Sequence, residues 1–150
     1  MTSQFYLLGV INGVGGVMKL MRANGDVQWY GTFSKLTVTA AYSEIVDTFH
    51  VVGCGWYMTD ANTYSAAIYR LGNDGTFKWF YLLAPYTSNT TAINKCYGIV
   101  YNEATQRITT LIHSTSTYLS YGSNYDLSLV VFDKTGTLFN GQMITFKYDI

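Results

Sequence analysis

Nine carboxylates, two histidines and two cysteines are the groups in this 150-residue chain with the chemistry to move protons, hold metals or attack a substrate. The acids are Asp26, Glu44, Asp47, Asp60, Asp74, Glu103, Asp126, Asp133 and Asp149. Glycoside hydrolysis would need two of them held across a scissile bond. Asp26, Asp74, Glu103 and Asp133 fall at or beside turns, where a carboxylate serves the turn itself. His50 and His113 would need a third ligand to hold zinc, and no carboxylate recurs beside them. Neither a Gly-x-Ser-x-Gly elbow nor a phosphate loop of the Gly-x-x-x-x-Gly-Lys type occurs. The glycine-rich run GVINGVGG reads as a hairpin, since no helix follows it. No catalytic, cofactor or metal set is expected, and the chain reads as a non-enzyme.

Cys54 and Cys96 lie 42 residues apart and neither belongs to a CxxC pair, which argues against zinc. They read either as one disulfide in an oxidising compartment or as two buried thiols, and the buried thiols are preferred. The sequon Asn89-Thr90-Thr91 marks Asn89 as a glycan acceptor if the chain is secreted.

The aromatics carry the one functional signal with a mechanism. Trp56, Tyr57 and Tyr64 lie in GWYMTDANTYS, and Tyr118, Tyr121 and Tyr125 in STSTYLSYGSNYD. Both segments read as variable hairpins. Exposed aromatics among Ser and Asn can pack on a partner protein or stack on a sugar. They can equally cover the edge of a sheet.

These residues must be positioned by β structure, because one phrase returns three times: VMKLMRANGDVQWY, AIYRLGNDGTFKWFY and LVVFDKTGTLFN. Each is an apolar strand, a polar turn closed by Gly25, Gly75 or Gly136, and a second, aromatic-ended strand. Glycine recurs because such hairpins place a residue at positive φ. A further strand precedes each hairpin: FYLLGVI, FHVVGCGW and RITTLIHS. Gly9 and Gly53 read as equivalent positions in the first two. Units two and three begin with another strand, in LTVTAAYSEIV and KCYGIVYN. The expected organisation is one repeat array over residues 1–150, with units of about 1–34, 35–84 and 95–150. Units two and three are four-stranded meanders, and unit one lacks its leading strand. That is the pattern of β-propeller blades, and a three-blade run is an incomplete ring.

The phrases VVGCGW, IYRLGNDGTFKW, LLGVI, VMKLMRANGDVQW and DLSLVVFDKTGTLF resemble the SBBP-type β-propeller repeat along essentially the whole chain. The repeat's aspartate at the start of the third strand is matched at Asp126 but replaced by Ser65 in unit two. Its tryptophan is matched at Trp29 and Trp79; in unit three Asn140 stands there, with Phe139 beside it as a substitute. The Gly-x-x-x-Trp spacing also resembles the tryptophan-docking repeats of quinoprotein propellers. That resemblance implies an indole packed between blades and carries no cofactor here.

Composition bounds the rest. Charged residues are 12% of the chain, the net charge is zero and aromatics reach 17%. No basic stripe exists for a nucleic acid, and no apolar run is long enough to form a membrane span. Extracellular or secreted settings are favoured by this composition. The expected core is Leu8, Val52, Leu71, Ile99 and Val131, with Trp29 and Trp79 docked between units. The open ends should be the edge at residues 5–11 and a face of unit three around Ile99, Leu111 and Val130. A structural, protein-interaction module follows, its ring completed by self copies or other subunits. A carbohydrate-binding propeller using the hairpin aromatics is the alternative.

Overall fold

A computed structural model describes residues 4–11, 14–21, 24–33, 38–47, 50–60, 63–83, 93–116 and 124–146. The described residues form eleven strands and no helix: β1 Gln4–Ile11, β2 Val14–Met21, β3 Val27–Phe33, β4 Val38–Asp47, β5 His50–Asp60, β6 Thr63–Gly72, β7 Phe77–Leu83, β8 Ile93–Asn102, β9 Arg107–Ser116, β10 Asn124–Asp133 and β11 Leu138–Phe146. Strands β1 to β3 form one antiparallel sheet, and no described strand pairs with the other edge of β1. Strands β4 to β7 and β8 to β11 are two further antiparallel meanders. A single parallel pairing, Tyr64 with Ile93, links β6 to β8. The sheets are open and do not close on themselves.

The three units share more than strand order. Gly25, Gly75 and Gly136 close the last hairpins at φ of 75°, 78° and 93°, the left-handed conformation that only glycine adopts without strain. Each last hairpin also carries one register shift, after Lys19, Arg70 and Val131. Aligned on that shift, three cross-strand pairs correspond: Lys19 with Trp29, Arg70 with Trp79, and Val131 with Asn140. The same alignment matches Gly9 to Gly55, not to Gly53, since Gly9 faces Gly16 and Gly55 faces Ala67.

Alternation along the middle unit sends its two faces into two separate cores. Val51, Ala67, Tyr69 and Leu71 pack with Val17 of unit one, flanked by Tyr6, Trp29 and Tyr57. Val52, Cys54, Ala66 and Ile68 pack with Cys96, Ile99, Ile108, Ile112 and Phe132 of unit three. Strand β4 lies against β1 and β2 much as β8 lies against β5 and β6. The stacking relation is thus repeated.

Several expectations need correcting. Val52, Leu71 and Ile99 are buried, but Val131, Trp29 and Trp79 are only partly so; the side chain of Leu8 lies outside the described residues. Ile99 and Val130 do not line an open face, because they pack into the core shared with unit two. Their strand parity puts Leu111, Leu129 and Val131 on the far side instead. Cys54 and Cys96 are not free thiols but a disulfide joining β5 to β8, with Cα atoms 5.7 Å apart. Sequence separation hid this proximity; unit stacking creates it.

Candidate interaction site

Two features of the fold are candidates for an interaction role: an aromatic cluster and a contact between units that occurs twice. The cluster sits between units two and three, near the β5–β6 connection. Trp56 on β5 and Tyr64 on β6 share a face, since Trp56 pairs with Ala66 and Met58 with Tyr64. The Lys95 ammonium from β8 lies over both rings, 5.0 Å from the Trp56 centroid and 5.1 Å from that of Tyr64. Tyr97 meets Trp56 on one side (centroids 5.7 Å) and the His113 imidazole on the other (5.9 Å). Buried Asn94 anchors the arrangement. Its Nδ2 donates to the Tyr64 carbonyl at 3.2 Å, while its Oδ1 accepts from the Ser114 hydroxyl at 2.7 Å. A cation over a ring is attracted by the ring quadrupole, most strongly over Trp. The cluster therefore supplies its own cation, and Lys95 occupies ring surface that a sugar would stack on. Burial, with the Lys95 charge as a second cause, pulls the His113 pKa below 6.5.

The sequence singled out six aromatics, and the fold divides them. Trp56 and Tyr64 come together, half-buried, on strands rather than in an exposed loop. Tyr57 points to the opposite face, against the core shared with unit one. Tyr125 is on β10, paired with Thr115 and Phe146, and its side chain is outside the described residues, as are Tyr118, Tyr121 and Asn89 altogether. Lys95 and Tyr97 were missed because nothing local connects them to Trp56. His113 was legible only as a strand histidine. His50, also on a second strand, begins β5 at the other end of its unit. It borders a shallow depression of about 310 Å³ with Asn73, Asp74 and Lys78. Among the described residues no three His, Cys, Asp or Glu side chains gather to hold a metal, and no helix is long and apolar enough to cross a membrane.

The docking contact is built from the corresponding pairs. In unit one the Trp29 ring lies against Gly75 of unit two, so that a Cβ on Gly75 would sit 2.9 Å from its Cε3. The Trp29 indole N–H donates to the Asn73 carbonyl. Lys19, buried beside it, donates to the same carbonyl at 3.4 Å and to the Asn73 side-chain oxygen. One unit further on, the Trp79 ring lies against Gly136, where a Cβ would be 2.9 Å from Cδ1. Arg70 donates to the Lys134 carbonyl. Asn73 and Lys134 hold the same place, two residues before their glycines. Each contact thus joins an indole and a cation from one unit to a glycine turn of the next. Glycine is required twice over: for its positive φ, and because the ring occupies the space of a side chain. Trp79 also stacks on Phe132 and Tyr81, with centroids 6.2 and 5.4 Å away.

No family model matches the chain, and no curated protein matches it.

Proposed function

We propose that this chain is a non-catalytic interaction module: three consecutive propeller blades of the SBBP-like type, working as part of a larger or homo-oligomeric assembly. The observation that carries the reading is the repeated indole–glycine contact between successive units. A contact of one kind, an indole laid on a glycine turn, used twice in a row belongs to an array that propagates, and such units bury their faces only against neighbours. Large side chains left in solvent at the first unit agree with this: Leu7 is 54% exposed and Tyr30 66%. The buried disulfide fits an extracellular or secreted setting, where such bonds persist. The Trp56–Tyr64–Lys95–Tyr97 cluster is a second contact surface for a protein, with Tyr97 its most open ring. Lys95 already covers two of the six rings on which the carbohydrate-binding alternative draws.

Sedimentation at micromolar concentration, together with binding of an apolar dye, tests the proposal. The chain is expected either to sediment above 16.8 kDa or to remain a dye-binding, weakly stable monomer. A monodisperse monomer that unfolds cooperatively at high denaturant and binds no dye would overturn the reading. On a glycan array, sugar binding abolished by Trp56→Ala or Tyr121→Ala would replace it with the alternative.

A further inference from the structure

The two docking contacts have a direction, and the chain's ends do not match along it. In each contact the earlier unit supplies the indole and the cation, and the later unit supplies the glycine turn. The glycine turn of unit one therefore receives no indole from these three units. Gly25 has the same positive φ as its counterparts, yet a Cβ built on it meets no described atom within 4 Å. The sheet face behind that turn is open in the same sense. Leu7 pairs with Met18 and Met18 with Tyr30, forming one apolar row across the sheet. Its counterpart in unit two is Gly53–Tyr69–Phe80, in which Tyr69 is buried by unit one. In unit three it is Thr110–Val130–Gly141, in which Thr110 is buried and Val130 packs into the core shared with unit two.

At the other end the complementary half is missing. Val131 stands where Lys19 and Arg70 supply the cation, and Asn140 where Trp29 and Trp79 supply the indole. Phe139 does not replace the indole: it is 60% exposed, with the Arg107 guanidinium 3.0 Å from its ring centre. A second copy arriving with its third unit would thus bring neither group.

We infer that the Gly25 turn and the Leu7–Met18–Tyr30 row form a receptor for a β-hairpin from outside these three units. That hairpin carries a tryptophan with a Lys or Arg directly across from it, the chemistry of the chain's own Lys19–Trp29 and Arg70–Trp79 pairs. Unit three, by contrast, lacks the indole and the cation of this contact. The inference rests on the modular reading above and adds what the partner must present and on which side.

Grafting the missing half onto unit three tests this. In V131R/N140W the chain presents both halves, so copies should associate head to tail, closing a ring or running on as a chain. A self-association constant at least about tenfold tighter than that of the unmodified protein is expected, since a docked Trp is a typical binding hot spot. Adding Gly25→Asn should reverse the gain, because asparagine tolerates positive φ but fills the space the indole needs. Sedimentation of the unmodified protein, the graft and the graft with Gly25→Asn at matched concentrations reads this out. If the graft perturbs folding by circular dichroism, N140W alone carries the test. A folded graft that sediments like the parent, or one whose association survives Gly25→Asn, overturns the inference. Both results leave the dye and mass test of the modular reading untouched.

Discussion

At the scale of single residues, electrostatics here serves the turns and the aromatic cluster. Asp74 accepts from the Thr76 hydroxyl and backbone N–H, and Asp133 from the Thr135 hydroxyl and the Thr135 and Thr137 N–H groups. Each carboxyl is thereby held below its ordinary 3.8, the threonine hydroxyl being the largest cause. A depressed carboxylate contributes stability at higher pH, and that contribution is lost as pH falls through the folded-state pKa. An NMR titration should accordingly place both midpoints below 3.8, and Thr135→Val should raise that of Asp133. His113 behaves in the opposite chemical sense. Its folded-state pKa lies below 6.5, so between that pKa and 6.5 the unfolded chain binds more protons and stability falls as pH drops. Replacing Lys95 by Met should move the imidazole midpoint part of the way back toward 6.5. The rest of the shift remains, because burial is its larger cause. A midpoint unaffected by Lys95→Met would separate the lysine from the cluster.

At the scale of the hairpin, the three glycines form a built-in comparison. Gly25→Ala should lose only the positive-φ term, about 1–2 kcal/mol. Gly75→Ala and Gly136→Ala carry that term and also drive a methyl into Trp29 or Trp79, adding about 1–3 kcal/mol of overpacking. Urea denaturation of the three variants measures the difference, and equal losses would remove the indoles from the contact. Trp79→Ala should cost about 2–4 kcal/mol, less than a fully enclosed indole because the ring is only half-buried. These hairpins were legible in the sequence because turn chemistry is local. A glycine at positive φ announces itself by type and spacing, and an indole four residues later marks the docking strand. What was not legible was long-range. Burial of Val130 rather than Val131 depends on which face of β10 meets unit two, since the β9–β10 register is unbroken and the bulge lies on β11 at Phe139; a shift of one residue would exchange the two faces. The meeting of Lys95 with Trp56 depends on how one unit stacks on the next, which no local pattern encodes. The six aromatics were chosen by residue type, and the fold sent Trp56 and Tyr57 to opposite faces, as alternation requires of neighbours on a strand.

At the scale of the molecule, the middle unit is the keystone of two cores. It meets unit one through Val17, Val51 and Tyr69 and unit three through Val52, Ile68 and Ile112. Only the second junction is covalently tied, by Cys54–Cys96. A cross-link closing a loop of that length contributes about 2–4 kcal/mol. The Cys54→Ala/Cys96→Ala protein, or the parent under thiol, should lose stability by that amount. The loss should appear as faster amide exchange in the buried β8 and β9 positions before those of β2. Uniform loosening of all three units would mean that the bond does not act at this junction.

The placement of that bond also decides how the chain responds to being cut. A protease that severs the backbone anywhere between Cys54 and Cys96 produces two fragments that stay tethered, so the nicked product migrates as one species until thiol is added. A cut ahead of Cys54 has no such safeguard, and the piece carrying the Gly25 turn is then held without a covalent bond, by contacts that include those of Lys19 and Trp29 with Asn73 and the apolar core around Val17.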